Sequence, residues 1–150
     1  MAHTYTSLLT HVVFSTSGRM PLLADAIRAD VHAYLGGILG ELDAIPIAIG
    51  GTADHVHLLI RLPADLALAD CLRIVKTNSS RWVKERWPQR RKFAWQGGYG
   101  AFSVSESRRA AVIRYIQDQQ NNHRRISFQD EFLTLLKNHR VEFDVRYLWQ

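Results

Sequence analysis

Residues 54–62 read DHVHLLIRL and are followed by Pro63, a pattern that predicts one β-strand. Alternate side chains of a strand project to the same face, so His55 and His57 should lie together, about 7 Å apart along the chain. The opposite face is apolar and predicts burial of Val56, Leu58, Ile60 and Leu62. The strand therefore carries two imidazoles side by side on a rigid, well-buried support.

The chain on either side of this strand alternates between strand-like and helix-like patterns. Apolar residues recur at helical spacing over residues 24–42, 66–87 and 106–122, and Ser103 with Glu106 has the spacing of a capping box before the third helix. Strands are predicted over residues 5–14 and 44–49, and strand pieces around a glycine loop over residues 93–104. A partly helical tail follows over residues 127–136, and residues 141–143 predict a short final strand.

The order of these elements is strand, helix, strand, strand, helix, strand, helix. It predicts an α+β fold with a central, mostly antiparallel sheet in a split βαβ (ferredoxin-like) arrangement, flanked by helices. The length of 150 residues and the apolar fraction of 47% predict a single packed domain over residues 1–150.

The expected location is the cytoplasm, with no membrane partner. Apolar stretches fall short of the ~20 residues that a membrane span needs. The first residues show no basic region followed by an apolar run, so we expect no secretory signal. The single cysteine, Cys71, allows no internal disulfide and fits a reducing compartment.

The two histidines are suited to holding one metal ion. The plain alternative is an exposed strand face that carries two histidines by chance, and zinc phosphodiesterases and many other enzymes use the same short motif. Leu59 stands where a triple-histidine nucleotide hydrolase would need a third histidine. With Cys71 as the single thiol, a structural zinc site is poorly supplied with ligands.

The third predicted helix carries Tyr115 and, one turn later on the same face, Gln119. In isolation the better interpretation is that Tyr115 packs at the edge of the core, with Gln119 in solvent. A phenol is a poor nucleophile near neutral pH unless its oxyanion is stabilised or its target is polarised. A metal bound by two neutral imidazoles and one amide oxygen would keep its charge and open positions for a phosphate. Tyr99 and Tyr147 are rival nucleophiles by residue type, but neither is followed by a glutamine at that spacing.

A basic and aromatic segment follows the second predicted helix. The net charge of +5 already favours a polyanionic partner. Charge that follows a phosphate backbone, together with aromatic faces for unpaired bases, suits single-stranded or hairpin DNA. The alternative is a solvated helix end with its tryptophans in the core. The candidate DNA-binding residues are Arg81, Lys84, Arg86, Arg90, Arg91 and Lys92, interleaved with Trp82, Trp87, Phe93 and Trp95.

An ordered set of motifs, almost end to end, resembles the HUH single-tyrosine transposases of bacterial insertion sequences of the 200/605 type. In a chain this short, the order and separations of the set are far more specific than the histidine pair alone. The set comprises Thr10-His11-Val12-Val13-Phe14, Arg19-Met20-Pro21, Gly50-Gly51, the histidine strand, residues 95–103 (WQGGYGAFS), Tyr115-Ile116 with Gln119, and Tyr147-Leu148-Trp149.

This resemblance implies the HUH palm fold, with His55, His57 and Gln119 binding Mg²⁺ or Mn²⁺ and Tyr115 acting as nucleophile. It implies cleavage of single-stranded DNA beside hairpins, through a 5′-phosphotyrosine and a free 3′-hydroxyl, followed by rejoining. It also implies a homodimer in which the tyrosine helix of one subunit completes the metal site of the other. Relatives often carry two adjacent histidines where this chain has Asn122 and His123, so a proton-transfer role for that pair is in doubt.

Two other functions share these features. A relaxase or replication-initiator-like nuclease would use the same chemistry, but the short chain carries no helicase or other additional domain. A domesticated DNA-hairpin-binding protein would keep the fold, but binding alone requires neither the histidine pair nor Tyr115 and Gln119.

Overall fold

The computed structural model describes residues 3–149. Four strands, five α-helices and four short 3₁₀ helices form the chain in this region, and the predicted order of the main elements is confirmed. The strands are β1 (Leu9–Ser15), β2 (Ile45–Gly51), β3 (His55–Arg61) and β4 (Gly100–Ser103). The helices are α1 (Asp25–Glu41), α2 (Leu68–Arg86), α3 (Arg109–Gln117), α4 (Gln119–Asn122) and α5 (Phe128–Asn138).

The four strands form one sheet in the order β2-β3-β1-β4, and each neighbouring pair is antiparallel. This is the strand order of a split βαβ arrangement, so the predicted α+β fold is confirmed. Strand β3 lies inside the sheet between β2 and β1, with His57 opposite Val13. The histidine strand is therefore hydrogen-bonded on both edges, which holds its side chains rigidly.

Helices cover both faces of the sheet. The predicted apolar face of β3 is confirmed, because Val56 and Leu58 pack with buried residues of α1 and α2 such as Leu35 and Val75. On the opposite face, Leu59 packs against Ile116 of α3. Next to it, Phe102 of β4 packs against Phe128, Phe132 and Leu136 of α5. The histidines thus lie between the sheet and the layer formed by α3, α4 and α5.

Several local predictions need correction. Strand β1 begins at Leu9 rather than at residue 5, and Tyr5 is 89% exposed. Ser103 ends β4 instead of capping a helix; a short 3₁₀ turn, Glu106–Arg108, leads into α3. The predicted third helix is broken at Asp118, whose backbone departs from helical geometry. Residues 141–143 form no strand, because they lie exposed beyond α5 without a neighbouring strand in the described chain.

Over residues 3–149, no helix combines the length and the apolar character that crossing a membrane would require.

Candidate active site

The two histidines of β3 point into the layer between the sheet and α3, and both are fully buried. His57 is held from the sheet side by His11 of β1, whose Nε2 lies 2.7 Å from His57 Nδ1. Burial lowers the pKa of His57, although its hydrogen bond to a glutamate opposes this shift. Burial also lowers the pKa of His11 to about 3. Both rings are therefore neutral near pH 7, and a neutral imidazole is the form that binds metal.

His55 is oriented by the turn that precedes it. Asp54 Oδ1 lies 2.8 Å from His55 Nδ1, and the Thr52 hydroxyl donates to the same carboxylate oxygen at 3.0 Å. Burial works to raise the pKa of Asp54, but its hydrogen bond and charge interaction with His55 hold that pKa below the usual value. A carboxylate that takes the Nδ1 hydrogen leaves Nε2 with a free lone pair, as in carboxylate–histidine–metal sites.

Gln119 is brought to the same place by the break between α3 and α4. Its side chain is 1% exposed, and its Oε1 lies 2.9 Å from His55 Nε2. The break leaves the Tyr115 carbonyl to accept hydrogen bonds from the side-chain amides of Gln119, at 3.4 Å, and Asn122, at 3.3 Å. Tyr115 and Gln119 are thus separated by a kink in the helix. This kink turns the Gln119 side chain towards the histidines.

Tyr115 lies between the histidine pair and α5. Its ring centre is 5.7 Å from that of His57 and 6.2 Å from that of His11. Its hydroxyl donates a short hydrogen bond to Glu131 Oε2. Burial, followed by the bond to Glu131 and its negative charge, raises the pKa of Tyr115 well above the usual range. The phenol is therefore protonated, and its proton is hydrogen-bonded to a carboxylate oxygen.

Glu131 of α5 is a candidate site residue that the sequence analysis did not identify. It is 2% exposed and connects four other members of the site. Burial works to raise its pKa, but hydrogen bonds from His123 and His57 hold that pKa well below the usual range. The carboxylate is therefore charged although it is buried. Its partners are His57 Nε2 at 2.9 Å, His123 Nε2 at 3.1 Å, Gln119 Nε2 at 3.2 Å and the Tyr115 hydroxyl.

A sequence signal for Glu131 exists in its own helix. Phe128, Phe132 and Leu136 form the buried stripe of α5, and Glu131 lies within that stripe rather than on the exposed face. A carboxylate on the apolar side of an amphipathic helix is costly unless it is paired, so its presence indicates a buried partner. His123, whose role the sequence left in doubt, adjoins this cluster with Nε2 3.1 Å from both Gln119 Oε1 and Glu131 Oε1.

The donor atoms of the cluster fit a divalent cation. The candidate ligand atoms of His55, His57, His123 and Glu131 all lie within 4.8 Å of one another. Because Asp54 takes the Nδ1 hydrogen of His55, the Nε2 lone pair faces the Gln119 carbonyl oxygen, which is also an acceptor, at 2.9 Å. A metal ion bound by both atoms would satisfy the two acceptors. Imidazole nitrogen, amide oxygen and carboxylate oxygen are all ligand types that divalent cations use in proteins.

Gly50 of β2 sets the distance between the sheet and α3. A Cβ atom at this position would lie 2.1 Å from the carbonyl oxygen of Ile116. Glycine therefore allows the backbone of α3 to approach β2 directly, beside Tyr115. Gly51 is equally confined, because a Cβ there would lie 2.2 Å from the carbonyl oxygen of His55. The Gly50-Gly51 pair thus determines the position of α3 and the close turn between β2 and His55.

The rival tyrosines lie elsewhere. Tyr99 is 36% exposed and its ring lies 5.9 Å from Lys76 Nζ, whereas Tyr147 is 60% exposed and packs with Arg146. Of the three candidates, Tyr115 is the one that the described chain places against the histidine pair.

The basic segment lies at the end of α2, in the layer on the other side of the sheet. Five of its six basic side chains are exposed and Arg90 is half-buried. Its aromatic residues divide into two groups. Phe93 and Trp95 are buried, and Trp95 Nε1 donates to Ser79 Oγ at 2.9 Å. Trp82 stacks on Tyr34 at 4.1 Å, and Trp87 is half-buried. The alternative of tryptophans in the core thus holds for Trp95, while Trp82 and Trp87 pack half-buried against the same core.

Comparison with known proteins agrees with this architecture. The family model described as "Transposase IS200 like" matches residues 4–119. The ISDra2 transposase TnpA of Deinococcus radiodurans is 26% identical over 114 residues, which cover 73% of this chain and 81% of that protein.

Two solved structures share the fold. A protein of Deinococcus radiodurans R1, assigned as a transposase, superposes with a TM-score of 0.63 at 24% identity, covering 79% of this chain and 96% of its own. A REP-associated tyrosine transposase bound to a REP hairpin gives a TM-score of 0.58 at 13% identity, covering 77% of this chain and 68% of its own. Because the family model covers well over half of the sequence, the chain belongs to the IS200-like transposase family.

Proposed function

We propose that this transposase cuts and rejoins single-stranded DNA beside hairpins at the ends of a mobile element, with Tyr115 as nucleophile. One observation carries the proposal: the Tyr115 hydroxyl, the Gln119 amide and His57 all contact the buried Glu131 carboxylate. A structural tyrosine at a core edge needs none of these partners. The cluster instead joins a nucleophile, a proton acceptor and metal-ligand atoms within one site.

The proposed metal ligands are His55, His57 and Gln119, with Glu131 and His123 as further donors in the same cluster. When bound, Mg²⁺ or Mn²⁺ would polarise the scissile phosphate and offset its charge. Asp54 orients His55, and His11 orients His57, so both rings are fixed before DNA arrives. This preorganisation is what places ligand atoms within the tolerance that catalysis requires.

The chain's own residues carry the proton transfer. The Tyr115 oxygen attacks phosphorus, the phenolic proton passes to Glu131 Oε2, and the phosphorus–O3′ bond breaks. The departing 3′-oxygen takes up a proton from solvent water and becomes a free hydroxyl, while the 5′-phosphate stays on Tyr115. Rejoining reverses these events, with the protonated Glu131 returning the proton to the phenol. The phosphodiester energy is conserved in the tyrosine ester, so no nucleotide cofactor is consumed.

The proposed DNA partner contacts two sides of the molecule. The REP-associated relative is bound to a DNA hairpin, and we extend hairpin binding to this chain. The basic residues Arg81, Lys84, Arg86, Arg90, Arg91 and Lys92 would hold phosphates on the α2 side of the sheet. The single strand beside the hairpin would then reach Tyr115 on the α3 side. Such a reaction on chromosomal DNA takes place in the cytoplasm.

Homodimer formation is part of the proposal, in the form that the family resemblance implies: the tyrosine helix of one subunit completes the metal site of the other. The alternative is a site assembled within each chain, with Tyr115 and Gln119 beside the histidines of the same subunit. Co-expressed His57→Ala and Tyr115→Phe subunits would regain cleavage if exchange occurs, and mixed dimers without cleavage would support assembly within each chain.

The main test uses labelled single-stranded DNA carrying the hairpins that flank the gene. Wild-type protein with Mg²⁺ or Mn²⁺ should form a covalent adduct that survives a denaturing gel. Tyr115→Phe should bind the same DNA without an adduct, since it lacks only the hydroxyl. His57→Ala and wild type in chelator should both fail to cleave. An adduct in Tyr115→Phe would transfer the role to Tyr99 or Tyr147, and hairpin binding without any adduct in wild type would favour a domesticated binding protein.

A further inference from the structure

A cavity of about 640 Å³ opens beside the nucleophile, between β4, α3 and α5. Tyr115 forms part of its wall. His11 forms another part, and its Nε2 is bonded to His57 Nδ1 at 2.7 Å. Tyr115 and His11 therefore line the cavity and also contact the proposed metal cluster.

The walls of this cavity combine apolar faces with polar groups. Phe102 of β4 and Leu135 of α5 supply apolar surface, and Ala111, one helical turn before Tyr115, leaves space beside them. Asn138 and Arg108 are exposed at the edge of the cavity. An apolar cavity with a few polar groups and a cation suits a flat heterocycle attached to a phosphate. The volume also lies within the roughly 300–1,000 Å³ range of small-ligand sites.

Attack by Tyr115 on a phosphodiester would bring an unpaired nucleobase close to this cavity. A phosphodiester in contact with the Tyr115 hydroxyl carries one nucleotide on each side, and in single-stranded DNA the adjoining bases are unpaired. An unpaired base that leaves the stack is stabilised on a protein by aromatic and apolar surface. Arg108 would meet the neighbouring phosphate, which accounts for a cation at this edge.

We propose that this cavity binds the unpaired nucleobase next to the scissile phosphate, so that it selects and positions the cleaved nucleotide. The inference rests on the proposed function, because it presumes that Tyr115 attacks DNA. It assigns a role to Phe102, Leu135 and Asn138, which the chemistry of phosphotyrosine formation does not itself use.

The test fills the cavity without removing any polar group. Ala111 is half-buried and lines the cavity, whereas Ala110 is exposed on the same helix. Ala111→Phe and Ala110→Phe cause the same change in helix propensity. The phenyl ring would occupy the cavity in Ala111→Phe and solvent in Ala110→Phe. The probe is a set of 5′-phosphorylated dinucleotides, one for each base, titrated into the ¹⁵N-labelled full chain without added metal and followed by amide chemical shifts.

Shifts in wild type should concentrate at Ser103, Ala111 and Asn138 for at least one base. Ala111→Phe should weaken that binding roughly tenfold to hundredfold, the loss expected for one stacked base, while Ala110→Phe stays at the wild-type value. Shifts centred elsewhere, equal binding by the two variants, or no binding of any dinucleotide would overturn the proposal. The wild-type shift map decides the location even if Ala111→Phe fails to fold.

The two proposals fail separately. A Tyr115 adduct with hairpin DNA and no dinucleotide at the cavity would leave the transposase chemistry intact and reject the base site. Dinucleotide binding at the cavity without any adduct would support the base site and reject the proposed transposase chemistry.

Discussion

The Gly50→Ala substitution should lower the rate of adduct formation strongly while lowering the stability of the fold only moderately. Gly50 lies in the edge strand β2, where a Cβ atom would meet the Ile116 carbonyl oxygen at 2.1 Å and two further Ile116 atoms at 3.0 Å. The backbone at Gly50 does not adopt a positive φ, so alanine is compatible with the backbone conformation of this residue. The strain would come only from the contact with α3. The obstacle is backbone, which no side-chain rotation can relieve.

The magnitude follows from the distance. Ordinary van der Waals contact begins at 3.4 Å, so α3 must retreat by about 1.3 Å, the difference between 3.4 and 2.1 Å. Overpacking of this kind typically costs about 1–3 kcal/mol of stability. The alanine recovers about 0.4–1 kcal/mol by restricting the unfolded chain. A net loss of about 1–2 kcal/mol leaves a folded protein. Tyr115 adjoins Ile116, and a displacement near 1 Å can reduce a rate by about a hundredfold.

The assay compares adduct formation in a single turnover with stability from chemical denaturation. Gly37→Ala is the matched control, because a Cβ at this position in α1 meets nothing within 4 Å. It should stabilise the protein by about 0.5–1 kcal/mol and leave adduct formation unchanged. A Gly50→Ala protein that forms the adduct at the wild-type rate would refute the argument that this contact positions Tyr115.

Three further outcomes are expected. Glu131→Gln keeps the size of the side chain but removes its charge, so Mn²⁺ affinity measured by calorimetry should fall at least about tenfold; unchanged affinity would remove Glu131 from the ligand set. Neutralising Arg90 and Arg91 should weaken hairpin binding and reduce the salt slope by roughly 1–2, whereas lysine at both positions should preserve it; an unchanged slope would mean that DNA does not touch this segment. Burial, assisted by Arg28, lowers the pKa of His32 from 6.5 to about 4. The unfolded chain therefore binds this proton first, and stability should fall as pH drops from 6.5 towards 4, by up to about 3 kcal/mol relative to His32→Leu; parallel pH profiles of the two proteins would contradict the assignment.

The order of the elements and the histidine face were predictable because they depend on local periodicity. Alternation in β3 separates the histidines from Val56 and Leu58, and the sheet realises this separation directly. The break at Asp118 was not predictable, because residues 106–122 keep helical spacing throughout. It is favoured by tertiary contacts that no local pattern encodes, namely the burial of Gln119 against His55 and the use of side-chain amides to satisfy the Tyr115 carbonyl.

Glu131 shows a different limit of sequence reasoning. Its importance comes from partners that are 8 to 74 residues away in sequence, so no motif spacing connects them. His11 is a similar case, since its bond to His57 depends on the pairing of β1 with β3. Both could have been suspected as polar residues within apolar runs, but the partner of each is fixed only by the assembled sheet and helix layer.

The family match ends at residue 119, whereas the site does not. His123 and Glu131 lie beyond it, and so do Leu135 and Asn138 of the proposed base cavity. The matched region thus contains the histidine pair, Tyr115 and Gln119, and α5 covers them. Because Phe128 and Phe132 pack α5 against the same sheet face, hydrophobic packing positions the Glu131 carboxylate, which is the proton acceptor in the proposed mechanism. The proposed proton acceptor and part of the proposed base cavity therefore lie on one helix, and a change in how α5 packs should alter both together.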